Sequence, residues 1–337
     1  MQSFRWTRVP LTAALLGLGA CRSGDLPSQP SATSPAPNTE AAATANSIIS
    51  NTWASRPDMS SPRFGLATVA VGPVLYAIGG MSQYDSPFSL VEAYDTRAGT
   101  LGAWVPRRVL PNMLWDLNGA AVIDGKIYVQ GGRDAMGLPS AALYVYTPSA
   151  NSWSTKKPMP KPSFGGAMAA IGGKLYLITN PGDGTRSVLF RYTPETDQWY
   201  PLTQPPKNLK GAAIAAINGK LYAAGGYKSL GVFSSALLVY NVAKNTWTTK
   251  ASMPVPRYYG AGRVVGGKLY VAGGASEPGS VTGRTDVYDP STDTWTRKHD
   301  MPLPRMKAGG AVANGLLYVI GGLGPTGIRA TTSMYIP

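Results

Sequence analysis

The chain is expected to be all-β and to consist of six repeats, on three observations. Its 337 residues include 40 Gly and 29 Pro, a content that suits many tight turns and short strands rather than long helices. A short apolar strand running into a glycine pair recurs as GPVLYAIGG (72–80), DGKIYVQGG (124–132), GGKLYLITN (172–180), NGKLYAAGG (218–226), GGKLYVAGG (266–274) and NGLLYVIGG (314–322). Tryptophan follows the same period at Trp53, Trp104, Trp153, Trp199, Trp247 and Trp295, each 26 or 27 residues before the first glycine-pair position. With 44% hydrophobic residues the chain has ample material for a core.

The N-terminus is read apart from the repeats. Arg5 and Arg8 precede the run VPLTAALLGLGA, which is too short to span a bilayer, so residues 1–20 are expected to be an export signal. The run ends in LGAC, which resembles the lipobox of bacterial lipoproteins; that resemblance implies that Cys21, the sole cysteine, carries the lipid. An ordinary signal with an incidental cysteine leads to the same compartment. On either reading the mature protein lies outside the cytoplasm and has no disulfide. Arg22 stands where, by the same resemblance, Asp would mark inner-membrane retention in enteric bacteria, so the cell envelope and its outer membrane are the expected location. Residues 21–46 lack aromatics and almost all large apolar groups, which fits a flexible, lipid-anchored tether. The repeat domain is expected at 47–337.

Within a repeat the elements follow from composition. KGAAIAAI (210–217) and AGGAVA (308–313) are rich in Gly and Ala, as an innermost strand a requires where side-chain volume is scarce. Strand b is the recurring segment itself. It leads out through Gly79 and Gly80, Gly131 and Gly132, Gly225 and Gly226, Gly273 and Gly274, or Gly321 and Gly322, where positive φ and close backbone approach need no Cβ. TDVYDP (285–290) is strand c and DTWTRK (293–298) strand d. A tyrosine marks strand c at Tyr94, Tyr146, Tyr192, Tyr240, Tyr288 and Tyr335.

This glycine pair followed by spaced Tyr and Trp resembles the kelch repeat, and the resemblance covers 47–337. It implies a six-bladed β-propeller with one four-stranded blade per repeat, and Tyr and Trp packed between blades. The last repeat stops at its strand c, whereas Trp53 has no strands a to c before it. The N-terminal strand is therefore expected to close the last blade. Two repeats depart: Thr179 and Asn180 replace a glycine pair, and Tyr94 and Trp104 stand further apart than the other pairs.

Function is narrower in what it excludes. The formal charge of +14, or +12 without the first twenty residues, is thinly spread, and no basic run with interleaved aromatics suggests nucleic-acid binding. The family resemblance brings in copper radical oxidases, which need a cross-linked Cys and paired His; this chain has one Cys and one histidine, His299. No cofactor or metal is expected. Sixteen residues before each glycine pair stand Arg63, Trp115, Ser163, Leu209, Arg257 and Arg305. Arg63, Trp115, Arg257 and Arg305 at the channel mouth would form an anion receptor with an aromatic face. Equally, the Arg residues would satisfy backbone carbonyls between blades. The b to c loops add Arg133, Asp134, Arg186, Tyr227, Lys228, Glu277 and Arg284. The reading is a monomeric binding module for a protein or anionic glycan, reaching the membrane only through its lipid and without catalysis. A mutarotase or epimerase of an acidic sugar, resembling the periplasmic sialic acid mutarotase of the same family, is the alternative.

Overall fold

A computed structural model describes residues 50–82, 86–117, 119–181, 186–229 and 231–337. The expected export signal, Cys21, the expected tether and residues 47–49 lie outside the described residues.

Among the described residues, six four-stranded antiparallel sheets follow one another as blades, each ordered a-b-c-d from the axis outward. Blade one contains Ala67–Val71, Val74–Ile78, Val91–Asp95 and Val105–Pro106. Blade five shows the full pattern in Ala261–Val265, Lys268–Ala272, Thr285–Asp289 and Thr294–Lys298. Each strand a packs against the strand a of both neighbouring blades, and that of blade six packs against that of blade one. A closed six-bladed propeller results.

Closure is made by the N-terminal strand. Thr52–Arg56 pairs antiparallel with strand c of blade six, placing Trp53 opposite Tyr335. The last blade thus has no missing outer strand.

The core lies between blades rather than within them. One cluster joins Ile78, Val91 and Tyr76 of blade one to Ile127, Val129 and Tyr146 of blade two, and five others repeat the arrangement around the axis. The expected aromatic wedge is present: Tyr288 and Trp295 lie 5.2 Å apart, and Tyr288 reaches Tyr222 of the preceding blade at 6.0 Å.

Each strand d tryptophan also forms a directed link. The indole N–H of Trp53, Trp104, Trp153, Trp199, Trp247 and Trp295 donates to the backbone carbonyl of His299, Pro57, Arg108, Lys157, Thr203 and Ala251 respectively, at 2.7–2.9 Å. Five of these six residues are held at the amide as well. Asn51, Asn151, Asp197, Asn245 and Asp293, each two residues before a Trp, accept the N–H of His299, Arg108, Lys157, Thr203 and Ala251 at 2.8–3.0 Å. The same side-chain oxygen accepts the strand c tyrosine hydroxyl at 2.6–2.7 Å. Blade one differs because Pro57 has no N–H to hold. There Tyr94 donates instead to Gly99 O at 2.5 Å, in the longer turn Thr96–Leu101.

The glycine pair brings neighbouring blades together. Gly80, Gly226, Gly274 and Gly322 donate their N–H to the carbonyls of Leu114, Arg257, Arg305 and Arg63 of the next blade, at 2.7–2.9 Å. A Cβ at Gly79 would come within 2.6 Å of Leu114 O, which excludes other residues. Blade three manages otherwise. Asn180 donates its N–H to Ser163 Oγ at 2.9 Å and its side-chain amide to Phe164 O at 3.1 Å, within its own blade.

Candidate functional site

The d to a and b to c connections share one face, since Phe64 bridges Met81, Trp115 bridges Arg133 and Tyr258 bridges Ala275. The three strand a arginines do not line the channel mouth on this face. Arg63, Arg257 and Arg305 are 0–1% exposed. Arg63 donates to the carbonyls of Leu90 (3.0 Å) and Gly79 (3.3 Å) and forms an ion pair with Glu92 at 2.6 Å. Arg257 pairs with Asp286 at 2.5 Å, and Asp286 is also held by Arg284 at 2.8 Å. Arg305 donates to Thr331 O at 3.2 Å and to the hydroxyls of Thr331 and Ser333. These partners lie in strand c or at the adjoining ends of strands b and c of the same blade, so the arginines fasten strands b and c from inside rather than linking blades. Burial lowers Arg63 and Arg305 to about 10, which leaves both charged at neutral pH.

The mouth is formed one and two residues further along. Phe64, Trp115, Phe164, Lys210, Tyr258 and Met306 form a collar, and Gly65, Asp116, Gly165, Gly211, Tyr259 and Lys307 follow them. All six of the latter have φ between 51° and 65°. Their backbones close a hydrogen-bonded circle: Gly65 to Lys307, Lys307 to Tyr259, Tyr259 to Gly211, Gly211 to Gly165 and Gly165 to Asp116, at 2.8–3.2 Å. In blade two the last link is made by Leu117 N–H to Gly65 O at 2.9 Å. An additional residue between Trp115 and strand a moves Trp115 into the collar while Leu114 takes the place of the arginines. Trp115 is therefore the one channel-mouth residue expected from sequence that the mouth contains.

Three of the six left-handed positions carry side chains where glycine is the unstrained choice, a cost of roughly 1–3 kcal/mol each. Those three side chains meet. Tyr259 donates its hydroxyl to Asp116 Oδ2 at 3.0 Å. Lys307 Nζ lies 3.2 Å from Asp116 Oδ1, as an ion pair off the hydrogen-bond line. Burial, then the Asp116 charge and contact with Tyr258, pushes the Tyr259 hydroxyl well above its ordinary value, so it stays a donor. Tyr258 is pushed up to about 12, chiefly by burial. The bare Gly211 gives the Tyr258 ring its room, since a Cβ there would stand 2.5 Å from it.

Above this floor cations lie on aromatic faces. Lys307 Nζ is 4.6 Å from the Tyr259 centroid and 5.4 Å from that of Trp115. Lys210 Nζ is 4.6 Å from Phe164 and 5.8 Å from Tyr227. Arg133 stacks on Phe164 at 3.4 Å and approaches Trp115 at 5.7 Å. Burial depresses the Lys210 ammonium; Asp116 opposes this, while Arg133 and Lys307 depress it further. Among the described residues three cations thus gather around one carboxylate, and Lys307 alone forms an ion pair with it.

The remaining loop candidates divide. Arg133 and Tyr227 belong to the mouth, whereas Asp134 caps its own turn by accepting Met136 and Leu138 N–H at 2.9 Å. Arg284 is engaged by Asp286, and Glu277 is exposed on the ribbon Ala275–Glu277. Arg186 and Lys228 line a groove outside the mouth. Sequence reasoning missed Phe64, Asp116, Phe164, Lys210, Tyr258, Tyr259 and Lys307. Residues other than glycine at a point that is glycine in three repeats were the available signal.

Comparisons with known proteins agree with this architecture. A Kelch motif model matches residues 62–100 and 117–160, and the model of the KLHDC2/KLHL20/DRC7 Kelch-repeats domain matches 165–335. Human Kelch-like protein 34 is 33% identical over 128 residues, which are 37% of this chain and 19% of that protein. Beta-scruin of Limulus polyphemus is 42% identical over 57 residues, 17% of this chain and 6% of that protein. The matches thus span a fifth or less of these relatives. The solved structure of YjhT superposes with a TM-score of 0.71 at 20% identity, covering 82% of this chain and 95% of that one, a likeness of fold.

Proposed function

The chain belongs to the kelch-repeat family, and from that premise we propose that it is a binding module, anchored outside the cytoplasm through lipid on Cys21, that holds an anionic ligand at its channel mouth. The supporting observation is the charge imbalance there: among the described residues Arg133, Lys210 and Lys307 gather around one carboxylate, Asp116, with which Lys307 forms the ion pair. An incoming carboxylate or sulfate relieves their mutual repulsion and gains charge-assisted hydrogen bonds. The half-buried Trp115 and Phe64, 6.2 Å apart and edge to face, offer apolar surface beside it. Such a set suits the acidic unit of a glycan or the acidic side chain of a protein partner.

Calorimetric titration with glucuronate and with N-acetylneuraminate tests the reading. Binding that weakens with salt and is lost in Lys307→Ala supports it; absence of binding by both acids, and by acidic peptides, refutes it. The anchor is tested by mass spectrometry of the mature N-terminus, where an unmodified end downstream of Cys21 refutes lipidation.

The second reading, a mutarotase or epimerase of an acidic sugar, is favoured by the Tyr259 hydroxyl bonded to Asp116, an acid and base pair on the mouth floor. Exchange of anomers followed by NMR, abolished in Asp116→Asn, distinguishes catalysis from binding alone.

A further inference from the structure

Outside the collar, on the same face, a groove of about 580 Å³ runs between blades three and four. Arg186, Lys207 and Lys228 line it, and among the described residues no Asp or Glu does. All three are exposed, and none belongs to an ion pair among the described residues. Their placement is built into the loops. Asn208 Oδ1 accepts the Ser187 hydroxyl at 2.8 Å and Lys210 N–H at 3.1 Å, while Ser187 Oγ accepts Leu209 N–H at 3.0 Å. Ser187 is buried, so this network sets Arg186, beside Ser187, and Lys207, beside Asn208, against one groove.

The groove continues the mouth. Phe233 forms part of its wall and stacks on the collar residue Tyr258 at 4.8 Å and 27°. Lys228 adjoins Tyr227, whose ring also faces Lys210. A ligand leaving the mouth past Lys210 therefore meets three further cations in succession.

We infer that this groove is a second subsite for a linear acidic polysaccharide, with one carboxylate-bearing sugar in the mouth and the following sugars along Arg186, Lys207 and Lys228. The inference rests on the reading of the mouth as an anion site. A glycan fits better than an acidic peptide because the backbone of the groove wall is already paired. Ser234 N–H donates to Gly226 O and Met253 N–H to Ser235 O, both at 2.8 Å, so an extended peptide finds no strand edge to join there. Val232 and Phe233 offer apolar surface for sugar rings, and the Ser234, Ser235 and Ser252 side chains suit sugar hydroxyls.

The test compares monomer with oligomer on the full chain. Galacturonate reads the mouth; tetramers of galacturonate and of mannuronate read mouth and groove together. An acidic tetramer is expected to bind at least tenfold more tightly than the monomer. The double variant Lys207→Ala/Lys228→Ala is expected to lose that gain while keeping monomer affinity and melting temperature. Equal affinity of tetramer and monomer, a gain that survives in the double variant, or equal binding of neutral maltotetraose overturns the groove and leaves the mouth reading intact. Tetraglutamate binding more tightly than either sugar tetramer, with the same lysine dependence, assigns the groove to acidic peptides and overturns the glycan. Tetramer binding that depends on the two lysines without monomer binding overturns the mouth reading and keeps the groove. No binding by any acidic probe overturns both.

Discussion

At Arg63 the guanidinium and the Glu92 carboxylate are both fully buried, and each is the other's counter-ion. Removing one partner strands a charge in the core. Arg63→Leu is therefore expected to cost about 3–5 kcal/mol, read from urea denaturation. The double variant Arg63→Leu/Glu92→Leu reproduces what blade four already has at the same two positions, the buried Leu209 and Leu238, and is expected to recover most of the loss. Recovery absent in the double variant would show that Arg63 acts through its carbonyl bonds rather than through the pair. Lys307 presents the opposite balance. Its φ of 51° lies in a region that glycine occupies without strain in three other blades. Lys307→Gly is expected to stay within about 1 kcal/mol of the parent, relief of backbone strain offsetting the lost pairing with the buried Asp116, while anion binding is lost. A stability loss with binding retained would place Lys307 among the structural residues. These two residues also show why the mouth was only partly legible in sequence. An Arg before strand a reads as a surface cation until its partner, 29 residues away on strand c, is known. Counting back a fixed sixteen residues from the glycine pair misaligned blade two by one residue, because of an insertion before its strand a whose trace is the Trp104 to Gly131 interval of 27 residues against 26 elsewhere.

Along the elements, the strands were legible wherever one residue type recurs for a steric reason, as with the glycine pairs and the strand c tyrosines. The residue two before five of the six Trp was not, because Asn and Asp alternate there and look like ordinary turn residues. Their shared property is a side-chain oxygen that accepts both the tyrosine hydroxyl and the N–H of the preceding blade. The alternation has a pH consequence. Asp293 is held below the usual carboxylate range by the Ala251 N–H and then the Tyr288 hydroxyl; Asp197 is lowered by Tyr192 and Lys157, against burial. A carboxylate with a depressed folded pKa adds stability above its unfolded pKa, and that stability is lost as pH falls through the folded value. The double variant Asp197→Asn/Asp293→Asn keeps both acceptors, as Asn151 and Asn245 do in blades two and four. Lacking the charge contribution, it is expected to fall somewhat below the parent at pH 7 and to lose less stability between roughly pH 5 and pH 2, where the two converge. Denaturant midpoints measured across that range check it; parallel acid limbs would mean that other carboxylates govern acid unfolding.

For the whole molecule the decisive feature is that strand order around the axis closes only by joining the two ends of the chain. Thr52–Arg56 supplies the outer strand of blade six, and within it Trp53 donates to His299 O at 2.9 Å on blade five. Asn51, just before it, accepts both the Tyr335 hydroxyl (2.7 Å) and the His299 N–H (2.9 Å). One short segment thus fastens blade six to itself and to blade five. The connection leaving it fastens blade six to blade one, through Arg63 N–H to Arg329 O at 3.1 Å and Gly65 N–H to Lys307 O at 2.9 Å. Deleting residues 47–56 removes the outer strand and the clasp together and exposes the strand c edge Thr332–Ile336, a loss on the order of several kcal/mol from burial and hydrogen bonds. Because each blade packs only on its neighbours, the loss is expected to spread as a lower melting temperature for the whole domain rather than fraying of blade six alone. Deleting residues 22–40, which lie in the expected tether, is expected to leave melting unchanged. Thermal unfolding of the two deletions side by side separates a structural seal from a dispensable end. If both melt like the parent, the ring is held by contacts between strands a alone, and the N-terminal strand is an attachment rather than the closure.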